Sequence, residues 1–299
     1  MATTPFSWED VRIGDKLEPR AMTITEDMVQ VYAAGLDQRH PWFIEGSPFG
    51  GRIAQPTLLD RDIGTRLFSA KWDSSPGSLH ARQDMEFIAP LRLGQRYDIT
   101  AEISGKYEKR GKRYMSIDAT CADTEGQPAL RGRYVRMLSM GQGVAREERP
   151  VATAQEAVQS EPGPGGPASE QWQVGQEIQP VAKLMSIHKM RIYSGPGKNI
   201  HTDEEAARRG GLSKPIAQGL MSNAYLSELL MNFFGQRWLT NGQLSVAFVA
   251  TVFPGDLLLS RGVIREREEV GSGFRWSLDV WVETMSGHRV TVGTASCTT

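Results

Sequence analysis

The chain has 299 residues, 39% of them hydrophobic, with 34 basic against 35 acidic side chains and a formal net charge of −1. That length suits two domains of common size, and the charge balance excludes the basic footprint of a nucleic-acid binder or a polybasic membrane patch. Two cysteines, Cys121 and Cys297, are too few for a disulfide framework and have no metal-ligand spacing. No metal and no cofactor are expected. The opening MATTPFSWEDVRIGD lacks a basic and then apolar leader, and no apolar run approaches the ~18 residues of a membrane span. A cytoplasmic protein without a membrane or nucleic-acid partner is the expectation.

In chain order, residues 1–140 begin with a Gly turn and a short helix that reaches Tyr32. An irregular loop, GLDQRHPW, carries Asp37 and His40. An apolar helix follows over about 56–70, and then four alternating, β-branched and aromatic runs: ARQDMEFIA, YDITAEISGKYEK, RYMSIDATCAD and PALRGRYVRML. Residues 141–170 are rich in Pro, Gly, Ser, Gln and Glu with no apolar period, which reads as a linker. Residues 171–299 repeat the plan: a Gly turn, a short helix to Tyr193, a loop to His201, an apolar helix over 220–234 and four strand-like runs. One long helix followed by a meander of strands predicts an α+β unit with the sheet wrapped around the helix.

The two halves are related by a shift of 161 positions. Ile13-Gly14 falls on Val174-Gly175, Tyr32 on Tyr193, His40 on His201, and EFIAPLRLGQ (86–95) on AFVATVFPGD (247–256). After the histidine the register slips by two, so that RIAQPTLL (52–59) matches PIAQGLMS (215–222), with Gln55 on Gln218. The chain reads as two copies of one unit. An edge left open by one copy could be covered by the other.

The chemistry concentrates in residues 193–227, YSGPGKNIHTDEEAARRGGLSKPIAQGLMSNAYLS. Gly-rich turns bring His201 and the start of the apolar helix forward together. That is the layout of a site rather than of a packed core. Plainer roles remain open at each position. His201 could be satisfied by a backbone carbonyl, Gly219 could be an ordinary helix start, Ser227 could pack helix on sheet, and Lys198 could be solvated. Asp37 and His40 could be a catalytic Asp/His pair of the first copy or no more than a loop turn. The recurrence of Gln55 and Gln218 points to a shared structural hydrogen bond.

This second half resembles the MaoC-like, or (R)-specific enoyl-CoA hydratase, group of the hotdog fold. That group's motif runs Tyr, small, Gly, Asp, any, Asn, Pro, aliphatic, His, and an Ala-His-Gly segment later opens the central helix. Here the corresponding run is Tyr193, Ser194, Gly195, Pro196, Gly197, Lys198, Asn199, Ile200, His201, and later Ala217, Gln218, Gly219. The His-to-Gly spacing fits without a gap, and Ser227 stands eight residues into the helix. The resemblance covers nearly all of 172–299 and implies a double hotdog, with residues 8–140 a degenerate first copy. It further implies a hydro-lyase acting at C2–C3 of an acyl thioester, carried on coenzyme A or an acyl carrier. His201 would be the acid/base, Gly219 the oxyanion donor, and Tyr193, Ser194, Lys198, Asn199, Gln218 and Ser227 would line the substrate. Two such chains could pair as a homodimer of double hotdogs.

The motif aspartate is replaced by Pro196, and Gly35 holds the same register in the first copy. Asp37, three residues before His40, and Asp203, two after His201, are the carboxylates at hand. The alternatives are a non-catalytic thioester-binding or accessory protein, or a thioesterase.

Overall fold

The computed structural model describes residues 7–72, 78–138 and 160–299. These residues fall into two units. One holds residues up to Gln30 together with 39–138, and the other holds Val31–Gln38 together with 160–299. The first unit runs β1 (Arg20–Thr23), the start of α1 (Glu26–Leu36), α2 (Pro41–Ile44), α3 (Thr65–Lys71), β2 (Leu79–Phe87), β3 (Arg96–Lys109), β4 (Lys112–Asp123) and β5 (Pro128–Leu138). Its strands pair antiparallel in the order β1-β3-β4-β5-β2.

The second unit contains the rest of α1, then β6 (Glu161–Pro162), β7 (Gln176–Glu177), β8 (Val181–Leu184), α4 (Ile187–Ser194), α5 (Glu204–Arg209) and α6 (Gly219–Phe234). It ends with α7 (Trp238–Asn241), β9 (Gln243–Phe248), β10 (Leu257–Val270), β11 (Gly273–Thr284) and β12 (Arg289–Thr298). Its order is β9-β12-β11-β10-β7-β6, with β8 also on β10, and the short β6–β7 pair is parallel. Burial alternates along the first half of β10, as a strand with one face on a core requires, and its last six residues are all exposed. The molecule is α+β, as the patterning implied.

The repeat is visible element by element. β1 and β8 start at 20 and 181, α1 and α4 at 26 and 187, β3 and β10 at 96 and 257, β4 and β11 at 112 and 273, each pair 161 apart. A β-bulge follows Ile103 in β3 and Ile264 in β10. The amide of Gly14 donates to Ile103 O, and that of Gly175 to Ile264 O, both at 2.8 Å. Each glycine has a positive φ (93° and 89°), a conformation that few other residues adopt, which explains its recurrence.

Of the expected linker 141–170, residues 141–159 lie outside the described residues. Residues 160–170 lie against the second unit: Ala168 N donates to Phe233 O at 2.8 Å, and a Cβ on Gly163 would fall 1.8 Å from the Trp172 ring. Glycine is required there by close aromatic contact.

The units differ most in their central helix. α6 runs for 16 residues and buries 13 of them, including Leu226, Leu229 and Leu230, each at 1% exposure or less. Such a helix is apolar all round because β8 to β12 pack against it. Full burial of each leucine contributes about 2 kcal/mol. Gly235 ends the helix at φ 59° and ψ −136°, a backbone conformation open mainly to glycine. In the first unit the helix expected over 56–70 forms only at Thr65–Lys71. Residues 56–64 make irregular turns in which Asp62 N and Ile63 N share Leu59 O and Arg66 N reaches Arg61 O. Buried Asp60 and Asp62 and the non-helical Gly64 (φ −150°, ψ −84°) account for the loss. Asp62 is paired with Arg66 at 2.8 Å and Arg20 at 3.5 Å, and the Tyr134 ring occupies the space beside Gly64. Among the described residues, no helix is long and apolar enough to cross a membrane.

Candidate functional site

The site is built from the loop 195–218 between α4 and α6. Gly195, at φ 79°, caps α4 through its N–H to Arg191 O and Ile192 O, and Pro196 follows, exposed. Proline commonly follows a helix end because it cannot continue the helix. Thr202, 6% exposed, then folds the loop back: its hydroxyl donates to Gly197 O at 3.0 Å and accepts from Asn199 N at 3.0 Å. Asn199 Oδ1 accepts the backbone N–H of His201 at 2.8 Å. Asp203 caps α5, accepting from Ala206 N at 2.9 Å, and that bond, aided by nearby Lys198, holds its carboxyl below the usual range.

His201 is half-buried, and its Nδ1 lies 2.8 Å from Ile216 O. A carbonyl only accepts, so Nδ1 donates, and in the neutral ring Nε2 then holds the lone pair. Ile216 N in turn donates to Ile200 O at 3.2 Å, and Ala217 N to Val252 O at 2.9 Å, so both sides of the loop are clamped. Gln218 Nε2 donates to Ser194 Oγ at 2.9 Å, tying the N-cap of α6 to the last residue of α4. Gly219 follows as the first residue of α6, where the helix itself leaves N–H groups without partners. A Cβ on Gly219 would lie 2.8 Å from the Phe248 ring. The absence of a side chain there serves that aromatic contact.

His201, Ser194, Gln218 and Gly219 are therefore gathered at the start of α6. The other expected site residues stand elsewhere. Lys198 is exposed and 3.6 Å from Asp203 Oδ2. Asn199 lies under the backbone of His201. Ser227 is 1% exposed, and its Oγ accepts from Trp238 Nε1 at 2.9 Å. Tyr193 is buried, with its ring 5.5 Å from that of Tyr32. A Cβ on Gly35 would come within 3.1 Å of Tyr193 N, so α1 approaches the Tyr193 backbone closely. Asp37 adopts a left-handed φ of 52°, and its carboxylate is ion-paired with Lys189. His40, in the first unit, caps α2: its Nδ1 accepts from Trp42 N at 3.3 Å, and burial lowers its pKa. The two recurring glutamines each bond back to a preceding helix, Gln55 to Val29 O of α1 and Gln218 to Ser194 Oγ of α4.

Two features had no local signal in the sequence. One is the carbonyl of Ile216, 15 residues beyond the histidine that it orients. The other is a largely buried ion pair. Lys183 Nζ bonds Glu228 Oε1 at 2.8 Å and the Asp37 carbonyl at 2.7 Å, with side chains 10% and 18% exposed for the pair. Burial raises the Glu228 carboxyl, countered by Lys183. Glu228 was visible as the lone charge in an apolar helix, but its partner lies 45 positions away.

A family model described as MaoC like domain matches residues 177–274. A solved structure named MaoC-like dehydratase superposes with a TM-score of 0.74 at 17% identity, covering 98% of this chain and 99% of the other. A MaoC-like dehydratase from Phytophthora capsici gives 0.64 at 18% identity, covering 95% of each chain. A Mycobacterium tuberculosis protein described as having a double hotdog fold gives 0.62 at 16% identity, covering 98% of each. Among curated proteins, none matches the sequence. The chain has the double hotdog fold, and residues 177–274 within its second half are similar to the MaoC like domain.

Proposed function

We propose that the protein is a hydro-lyase that adds water to, or removes it from, C2–C3 of an acyl thioester, with His201 as the proton-transfer group. The observation that carries this reading is the bond from His201 Nδ1 to Ile216 O. A carbonyl can only accept, so Nδ1 donates, and in the neutral ring Nε2 is then the nitrogen with the lone pair. In hydration, Nε2 takes a proton from water as the oxygen bonds to C3. The C2–C3 π electrons move toward the thioester carbonyl, and the proton held by the imidazolium is delivered to C2. The enolate oxygen formed on the way is stabilised by the N-terminal amide of α6 at Gly219. General acid/base catalysis of this kind contributes about 10²–10⁴-fold. One histidine can act alone because the proton it removes is the one it returns.

A second reading is a thioester-binding protein without hydratase activity. Pro196 stands at the motif aspartate, Asp203 is held as a helix cap, and Asp37 is paired with Lys189. The test is a panel of enoyl-CoA thioesters of increasing chain length, followed by loss of the conjugated-thioester absorbance and by release of free thiol. Loss of absorbance without thiol supports the hydro-lyase. Thiol release indicates a thioesterase. Acyl-CoA binding without either change supports the second reading.

A further inference from the structure

Each unit projects one long hairpin, β3–β4 in the first and β10–β11 in the second, and the two are built to the same plan. Residues 106–114 of the first correspond to 267–275 of the second. Their charges do not correspond. The first carries Lys106, Lys109, Arg110, Lys112 and Arg113 against Glu108, a surplus of four positive charges in a chain of net −1. The second carries Arg267 and Arg275 against Glu268 and Glu269, which balance.

Some of the first hairpin's cations have structural work. Lys106 donates to Val11 O at 3.0 Å and lies over the Trp8 ring, and Arg113 pairs with Glu108 at 2.9 Å and stacks on Trp8. Lys109, Arg110 and Lys112 are exposed and make no ion pair or side-chain hydrogen bond among the described residues. At the corresponding places the second hairpin has Val270, Gly271 and Gly273. The hairpin therefore forms without these three cations. Arg110 also sits at φ 51°, where its counterpart Gly271 sits at φ 62°. The left-handed conformation is unfavourable for arginine and easy for Gly or Asn, so the turn itself does not call for Arg110. Beside the tip, Tyr107 and Tyr114 stack at 5.3 Å with planes 9° apart, and Tyr107 is 43% exposed.

We propose that the tip of the β3–β4 hairpin is a docking surface for a protein that presents a cluster of carboxylates. A projecting hairpin tip offers no concavity to enclose a small molecule. Nucleic-acid binders show a basic stripe and a basic net charge, which this chain lacks. Three adjacent cations with no ion-pair partner among the described residues repel one another, and a carboxylate surface relieves that repulsion while steering association. The exposed Tyr107 ring adds the amphipathic contact area typical of protein interfaces.

The test uses the full chain and labelled polyglutamate as the probe, read by fluorescence anisotropy at low salt. A single-stranded oligonucleotide and phosphatidylserine vesicles serve as comparison probes. The wild type should bind polyglutamate, and K109Q/R110N/K112Q should weaken binding by about tenfold or more. R208Q/R209Q, which removes exposed cations already paired with Glu204 and Glu205, should stay within about twofold. The melting temperature of R110N should equal or exceed that of the wild type, since Asn suits the turn. The proposal is overturned if the wild type does not bind polyglutamate, or if both variants weaken it equally. It is also overturned if R110N melts lower, or if the oligonucleotide or vesicles bind more tightly through the same three residues.

Discussion

The two histidines that the repeat makes equivalent are used in opposite ways. His40 Nδ1 accepts the amide of Trp42, so its proton is on Nε2, whereas His201 Nδ1 donates to Ile216 O and leaves the lone pair on Nε2. His40 ends one strand of loop and starts a four-residue helix, packed by the rings of Trp42 and Phe43. His201 stands beside a 16-residue buried helix whose counterpart in the first unit is broken into turns and seven helical residues. Duplication preserved the strands, the bulges and the Gly turns. It did not preserve the helix or the direction of the histidine's hydrogen bond. A frame set by backbone pairing tolerates divergence at the sites it carries.

The largest expected effect tests that contrast at His201. His201→Ala should lower turnover on the enoyl thioester that serves best by about 10²–10⁴-fold, with the thermal midpoint nearly unchanged. A loss below threefold would remove the proton-transfer role and leave the two histidines functionally alike. Next comes the ion pair of the second unit. Lys183→Met leaves a largely buried carboxylate without its cation and should cost about 3 kcal/mol in urea unfolding, while Lys183→Met with Glu228→Leu should cost much less. Equal costs for the single and double variants would show that the pair's electrostatics do not matter.

A smaller effect concerns the start of α6. Gly219→Ala brings a methyl against Phe248 and should cost about 1–3 kcal/mol, and in combination with Phe248→Leu the added cost should largely vanish. Additive costs would mean that the glycine answers to something other than that ring. The smallest effect is at His40. Its Ala variant should lose about 1 kcal/mol as a removed cap. Burial lowers the pKa of His40 from 6.5, so the folded state binds fewer protons than the unfolded one. Its contribution is present above pH ~6.5 and declines as the pH falls below that value. His40→Ala should therefore flatten stability between pH 7 and 5 relative to the wild type. An unchanged slope would mean that His40 is not the group responsible.

Much of the fold was legible because the signals were local. The strand runs alternate, the turns carry Gly at positive φ, and the register between the halves survives in the positions that close hairpins. The apolar run after Gly219 reads as a buried helix because its side chains leave it no solvent face. The run after Pro56 looked similar and becomes helical only from Thr65, since Asp60 and Asp62 find buried positions and Arg20 and Arg66 meet the carboxylate of Asp62. A pairing between residue 20 and residue 62 has no local signal.

The site divides along the same line. The sequence by itself determined the duplication, the α+β class and the loop that brings His201 toward the start of a buried helix. The class and the loop depend on residue type and short spacing, and the duplication on a constant shift of 161 positions. Only the tertiary structure decided which nitrogen of His201 carries its proton, that Asp37 and Asp203 are committed to Lys189 and to α5, that Ser227 supports Trp238, and that Gly219 faces Phe248. Apart from the Asp203 cap, which spans three positions, these depend on groups 11 to 152 positions apart in the chain, brought together by packing. Hydrogen bonds and ion pairs are set by distance in space, and spacing along a chain predicts that distance only within a helix, a strand or a turn.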